Sequence, residues 1–263
     1  MKNYIAELWD KIDYDSVEVK NTWNSRADAF NDKEDDEEHY ADNKGIVDQL
    51  DGDELKILDI GSADGRHTIE FSEYASEVIG IDIADKMVKI ANENAKNAGA
   101  DNVTVCLLSW EDADLDELGW NKNFDLVFAN FSPAIHSSES VMKMTQASKQ
   151  LCYLSQHVIR ENSLKNELLE KFGKPERSVM MRDKIIAAFN TLWDVGYLPE
   201  IKYDRRVTNS SLKESEFEAF VNDLKIDDKA SAIEYLENKA VNGSIEYDLV
   251  HLNAIMQWDV RIR

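Results

Sequence analysis

Apolar residues recur at two different periods along this chain. Tyr4, Ile5, Leu8, Trp9 and Ile12 fall at helical spacing, and Trp23, Ala27 and Phe30 mark a second helical face. Residues 1–30 therefore read as a helical lead-in. Residues 32–38 are all charged and read as a solvated face or loop, not as a metal site. From Lys56 the pattern changes to short apolar runs at Lys56–Ile60, 78–82, 103–108, Phe124–Ala129 and 150–159. These read as buried strands. Helices fit between them over residues 66–75, Asp85–Ala98 and 138–148, with Gly99 as a C-cap. Strands that are apolar throughout and alternate with helices imply a parallel sheet covered on both faces.

The second half continues with helices over Ser163–Phe172 and 183–195, and a strand over 201–207. Amphipathic helices follow over 211–224 and 228–240. Ser211 and Glu214 have the spacing of a capping box, which places a helix start there. Phe217, Phe220 and Tyr235 read as helix core. Residues 249–260 form a closing strand, the seventh. There is no internal repeat, and the three prolines make no linker. The expectation is a single domain with decorations, divided as 1–50, 51–160 and 161–263.

Composition narrows the class. At 43% hydrophobic and 9% aromatic the chain is globular in character. Its 52 acids against 30 bases give a net charge of −22. Such a surface repels nucleic-acid phosphates and anionic membranes, so neither is expected as a partner. No apolar run approaches the ~20 residues of a bilayer span, and Met1-Lys2-Asn3-Tyr4 lacks the apolar stretch expected of a signal peptide; a cytoplasmic location is expected. Cys106 and Cys152 lie in apolar runs and read as small buried hydrophobes. No metal site is expected, because two cysteines without clustered histidines make no zinc site.

The first strand runs into Gly61-Ser62-Ala63-Asp64-Gly65. Small residues let a backbone turn sharply and approach a ligand, and the following helix start suits an anion. Asp82 ends the second strand, where an acid can accept bonds from both hydroxyls of a ribose. The bland reading is an ordinary strand–helix turn with a capping aspartate.

Asp59-Ile60-Gly61-Ser62-Ala63-Asp64-Gly65 resembles motif I of the class I S-adenosylmethionine-dependent methyltransferases, D-x-G-x-G-x-G, with Ala63 at the middle glycine. The residues from Val78 to Met87, Leu108 to Ala113, and Phe124 to Asn130 resemble that family's later segments. Together they cover roughly residues 55–160, and the resemblance is to the small-molecule type. It implies an α/β fold: a Rossmann-like, doubly wound, seven-stranded, mostly parallel sheet. An N-terminal helical lid and a helical insertion near the C-terminus would complete it. It also implies S-adenosylmethionine as cofactor. Asp59 would hold the turn, and Gly61, Ala63 and Gly65 would allow close approach. Asp82 would bind the ribose, Ile83 and Met87 would pack near the adenine, and Trp110 and Glu111 would edge it. Asn130 and Phe131 would lie beside the methionine moiety. In the lead-in, Arg26 would pair with the methionine carboxylate and Trp23 would wall the pocket. Ala63 is expected to be tolerated provided its φ is negative.

Methyl transfer is an in-line displacement, so a protein chiefly aligns the acceptor and excludes water. The loop Asn130-Phe131-Ser132-Pro133 departs from the [DN]-P-P-[YF] pattern of base amino-methyltransferases. With the acidity, this favours a small-molecule acceptor over nucleic acid. His136 is the candidate general base; His67 is expected to face solvent or pack locally. The competing readings are a nicotinamide-dependent oxidoreductase, a non-catalytic cofactor-binding protein, and a protein acceptor.

Overall fold

A computed structural model describes residues 2–31, 41–173 and 182–263. The charged run at 32–38 lies outside them. Helices α1 (Lys2–Trp9), α2 (Ser16–Asn31) and α3 (Asn43–Val47) precede β1 (Lys56–Ile60). There follow α4 (Arg66–Phe71), β2 (Glu77–Asp82), α5 (Asp85–Ala98), β3 (Val103–Leu107) and β4 (Phe124–Ala129). Then come α6 (Ser138–Ala147), β5 (Ser148–Asn162), α7 (Ser163–Phe172), α8 (Arg182–Asp194) and β6 (Glu200–Lys213). The chain closes with α9 (Phe217–Asn222), α10 (Lys229–Lys239) and β7 (Ser244–Asp259).

The seven strands take the order β3-β2-β1-β4-β5-β7-β6. The pairs β1–β2, β1–β4, β2–β3 and β4–β5 are parallel. β7 runs the other way: Val260, just past its end, donates to the carbonyl of Gln150 near the start of β5. The sheet is therefore mixed, and its order reverses between β1 and β4. In open α/β sheets, ligands bind beyond the carboxyl ends of the strands at such a reversal.

Every residue of β4 is buried, and four of five in β1 are. That is why neither strand alternates in sequence: helices cover both faces.

Contacts divide the chain into two compact units. The first comprises Met1–Gln156, Asp183–Lys202 and Ile255–Arg263. Its core joins Ile57, Phe71, Val78, Leu126, Phe128 and Tyr153. The second comprises His157–Arg182 and Tyr203–Ala254. It has its own core, including Leu168, Phe217, Val221 and Leu236, against which Phe220 and Tyr235 pack.

Four expectations need correction. The helix expected over 66–75 stops at Phe71, and Ser148 opens β5 instead of ending α6. Ser211 does not start a helix: β6 continues to Lys213, and Glu214 N–H donates to the carbonyl of Gly243. Strand pairing with the β7 side thus claims the segment, and the reach-back bond runs from Lys213 N–H to Glu216 instead. Cys106 is exposed on β3, an edge strand; only Cys152 is buried. No helix among the described residues is long and apolar enough to cross a membrane.

Candidate cofactor and acceptor site

The turn after β1 is held by its own hydrogen bonds. Gly61 and Ser62 N–H groups both donate to the carbonyl of Ile81, at 2.8 and 3.0 Å. Gly65 N–H donates to Ser62, Ala63 N–H to Asp82 Oδ2 (3.0 Å), and Arg66 N–H to Asp64. These N–H groups are thus already engaged inside the turn. A methyl built on Gly61 would stand 2.3 Å from Ser132 Oγ; one on Gly65 would stand 3.1 Å from Ala91 Cβ in α5. Glycine is needed at both places for close packing and for φ of +77° and +85°.

Ala63 departs from expectation. Its φ is +49°, so the middle position keeps the left-handed geometry without the glycine. For an L-residue this costs about 1–2 kcal/mol. Its methyl packs on a cluster with Trp23, Ala27, Phe30, Ala84 and Met87. Phe131, in the loop after β4, also has a positive φ, of +50°. Two strained residues thus stand on loops that meet at the sheet reversal, as strained backbone tends to do at functional sites.

Buried carboxylates underlie the turn. Thr68 Oγ1 donates to Asp59 Oδ2 at 2.6 Å. Burial pushes the Asp59 pKa up to about 7, with Thr68 opposing and the charges of Asp82 and Asp64 adding to the rise. Asp82 accepts from Ala84 N–H on Oδ1 (2.8 Å) and from Ala63 N–H on Oδ2 (3.0 Å). Burial raises its pKa too, against those backbone bonds. Asp64 forms a two-pronged pair with Arg66, whose guanidinium lies 4.9 Å from the ring centre of Phe30 in α2.

Around the turn the structure gathers most of the residues singled out in sequence. Met87 is fully buried in the Ala63 cluster, and Trp23 joins it, 5.7 Å from the Phe30 ring. Asn24 ties α2 to the start of α5: it donates to Asp85 and accepts from Lys86 N–H. Ile83 is half-buried beside Asp82, and Glu111 is exposed. Trp110 is buried, its indole N–H donating to the carbonyl of Ser140. Arg26 lies exposed on α2. Asn130 sits between His67 Nε2 (2.9 Å) and Ser155 Oγ (2.5 Å), and Ser155 also accepts from Phe131 N–H. His67 is therefore locally packed, with Asn43 at 3.0 Å on its other nitrogen.

His136 stands at the end of the β4 loop. Ser140 Oγ accepts from its backbone N–H. Its ring lies 3.7 Å from that of Tyr14, in the link between α1 and α2. Its Nδ1 is sealed from solvent with no hydrogen-bond partner. Burial, reinforced by Lys184, lowers its pKa to about 4. It is neutral at physiological pH and a weak base.

Sequence reasoning missed Tyr14, Arg66, Thr68, Ser132 and Lys184. Arg66 and Thr68 stood beside the turn and could have been noted. Tyr14 has a raised pKa, from burial and from the charges of Glu111, Asp112 and Asp82, which places it near all three. Lys184, on α8, donates from Nζ to the carbonyl of Ser132 at 2.8 Å. Neither carries a local motif.

The donor set fits an adenosyl group. Asp82 accepts from the backbone N–H groups of Ala63 and Ala84, one on each oxygen, with the Ile83 N–H also acting on it; a carboxylate offers about four acceptor sites, so capacity is left for a vicinal diol. The Tyr14 phenol feels the charges of both Asp82 and Glu111. No cluster of metal-ligating side chains occurs among the described residues.

A family model described as a methyltransferase domain matches residues 51–218. YcgJ of Bacillus subtilis (strain 168), named an uncharacterized methyltransferase, is 23% identical over 151 residues. That match covers 55% of this chain and 57% of YcgJ, so the chain spans little over half the length of this curated relative. Among solved structures, the cyclase SpnF superposes with a TM-score of 0.54 at 14% identity, covering 94% of this chain and 97% of SpnF. Magnesium protoporphyrin IX methyltransferase (ChlM) of Synechocystis PCC 6803, with bound SAH, gives 0.51 at 17% identity, covering 92% and 99%. At such identities these likenesses establish the fold alone.

Proposed function

This chain belongs to the methyltransferase-domain family, and we propose that it transfers a methyl group from S-adenosylmethionine to a small-molecule acceptor. The observation that carries the reading is the convergence at the sheet reversal: the Gly61–Gly65 turn lies against Ser132 of the β4 loop, with Asp82 beneath it. The sulfonium cofactor, when bound, supplies an already activated methyl group.

In this reading Asp82 receives the ribose hydroxyls, while Ile83 and Met87 flank the adenine. Glu111 meets the adenine edge; Trp110 supports it from the core, since its indole N–H is committed to Ser140. Asp59 acts through Thr68 to keep the turn in place. Asn130 and Phe131, fixed by His67 and Ser155, border the methyl group. Trp23 closes the pocket wall, and Arg26 reaches the methionine carboxylate only if α2 shifts. His136, neutral and partly dry, serves better as a hydrogen-bond partner of the acceptor than as a strong base.

A reading without methyl transfer has one specific support: a protein named a cyclase shares the fold, and fold does not dictate reaction. The test is calorimetry on the purified chain. S-adenosylhomocysteine is expected to bind and NAD not to. Binding of NAD alone would reject the reading. Methyl incorporation from labelled cofactor across a small-molecule panel then separates transfer from mere binding.

A further inference from the structure

We infer that Lys184 and His136 form a receiving site for an anionic group, a carboxylate or a phosphate, on the methyl acceptor. The inference rests on the proposed cofactor site and specifies which acceptors that site selects.

Lys184 is 9% exposed, and its ammonium makes one hydrogen bond, to the Ser132 carbonyl. Among the described residues no carboxylate lies within ion-pair distance of it. This is unusual in a chain with 52 acidic residues. Other lysines here find acids, as Lys44 finds Asp48 and Lys56 finds Glu77. A buried charge is ordinarily paired, because desolvation is otherwise uncompensated. Burial lowers the Lys184 pKa to about 7, so the charge is only weakly held, and beyond the Ser132 carbonyl its remaining N–H donors have no acceptor among the described residues.

A second unused polar atom belongs to the same loop. His136 Nδ1 is shut off from solvent without a partner. Lys184 is close enough for its charge to act on that imidazole. The loop joining Ser132 to His136 leads away from Asn130 and Phe131, which border the proposed methyl position. An oxyanion seated here would take bonds from Lys184 and from His136 as its Nδ1–H tautomer. It would also neutralise the ammonium. The Tyr14 ring, 3.7 Å from the imidazole and tilted 46° to it, supplies one aromatic wall, which suits an acid carried on a planar body.

The experiment uses the full chain saturated with S-adenosylhomocysteine, with benzoate, phenyl phosphate and the neutral isostere benzamide as probes in calorimetry. Benzoate or phenyl phosphate is expected to bind at least about tenfold more tightly than benzamide; which of the two binds better identifies the anion. In Lys184→Met that preference is expected to vanish while S-adenosylhomocysteine affinity is unchanged. Lys184→Arg is expected to keep part of it. His136→Phe provides a second route, expected to weaken the anion without affecting the cofactor. Equal binding of benzoate and benzamide to the parent, or a preference that survives in Lys184→Met, would overturn the anion site alone. Failure of the parent to bind S-adenosylhomocysteine would overturn the cofactor reading beneath it.

Discussion

Thr68 Oγ1 donates a 2.6 Å hydrogen bond to Asp59 Oδ2 in a setting where both residues are buried. It joins the first turn of α4 to the end of β1, and so clamps the glycine turn between them. It also opposes the burial that lifts the Asp59 pKa from 3.8 to about 7. A carboxyl whose folded pKa is raised favours folding most below its unfolded pKa. Its contribution declines as pH rises through 3.8 toward 7 and is flat above. Asp59→Asn removes this dependence. The variant's stability relative to the parent is therefore expected to increase between pH 4 and pH 7. Chemical denaturation across that range checks it; a parallel pair of curves would contradict the shift. Thr68→Val is expected to cost about 1–3 kcal/mol, because it strips a buried acceptor of its partner.

Asp82 holds the turn through Ala63 and α5 through Ala84. Asp82→Asn keeps the size but loses the charge and turns one acceptor into a donor. Its S-adenosylhomocysteine affinity is expected to fall by about tenfold or more, since a bond to a charged group is worth roughly 1.5–3 kcal/mol. Unchanged affinity by calorimetry would remove Asp82 from the ribose.

Gly61 and Ala63 are expected to respond in opposite directions. Gly61→Ala places a methyl 2.3 Å from Ser132 Oγ at a φ of +77°, which forces the β4 loop away. It should weaken cofactor binding and lower the melting temperature. Ala63→Gly relieves a residue at φ +49°. It loses little packing, and a net gain of up to about 1 kcal/mol is expected. For a chain of this size that is a rise of about 2–4 °C in Tm by calorimetry. A fall would show that the Ala63 methyl against Met87 and Trp23 outweighs the strain.

His136 has its pKa lowered from 6.5 to about 4. A base depressed on folding contributes stability that is present above its unfolded pKa and lost as pH falls through the folded one. The ring is expected to stay neutral down to about pH 4, followed by its nitrogen resonances in an NMR titration. His136→Phe should flatten the acid-side loss of stability between pH 6.5 and 4. A resonance titrating near 6.5 would restore His136 as an ordinary base.

Local pattern was enough for β1, β4 and α5. Strands covered on both faces are apolar at most positions, with Asp59 and Asp125 the buried exceptions in β1 and β4, and α5 must carry an apolar stripe and end on Gly99, whose φ is +70°. The glycine turn and Asp82 were legible for a related reason: a sharp turn with positive φ and a strand-end acid are short-range demands that few residue types meet. Capping chemistry at Ser211 was equally local, yet there it misled. Strand pairing extended β6 to Lys213, and a ladder bond formed with a distant segment outweighs a cap available nearby. Trp110 followed the third strand as expected, but the carbonyl of Ser140 on α6 decided where its indole points. Tyr14, His136 and Lys184 carry no shared motif and are far apart in sequence. Only the tertiary structure brought Tyr14 onto the His136 ring and Lys184 onto the Ser132 carbonyl. Only there do burial and missing partners change what an imidazole and an ammonium can do, because a side chain's charge state depends on the solvent and neighbours it loses on folding, and those are assigned by packing, not by position along the chain.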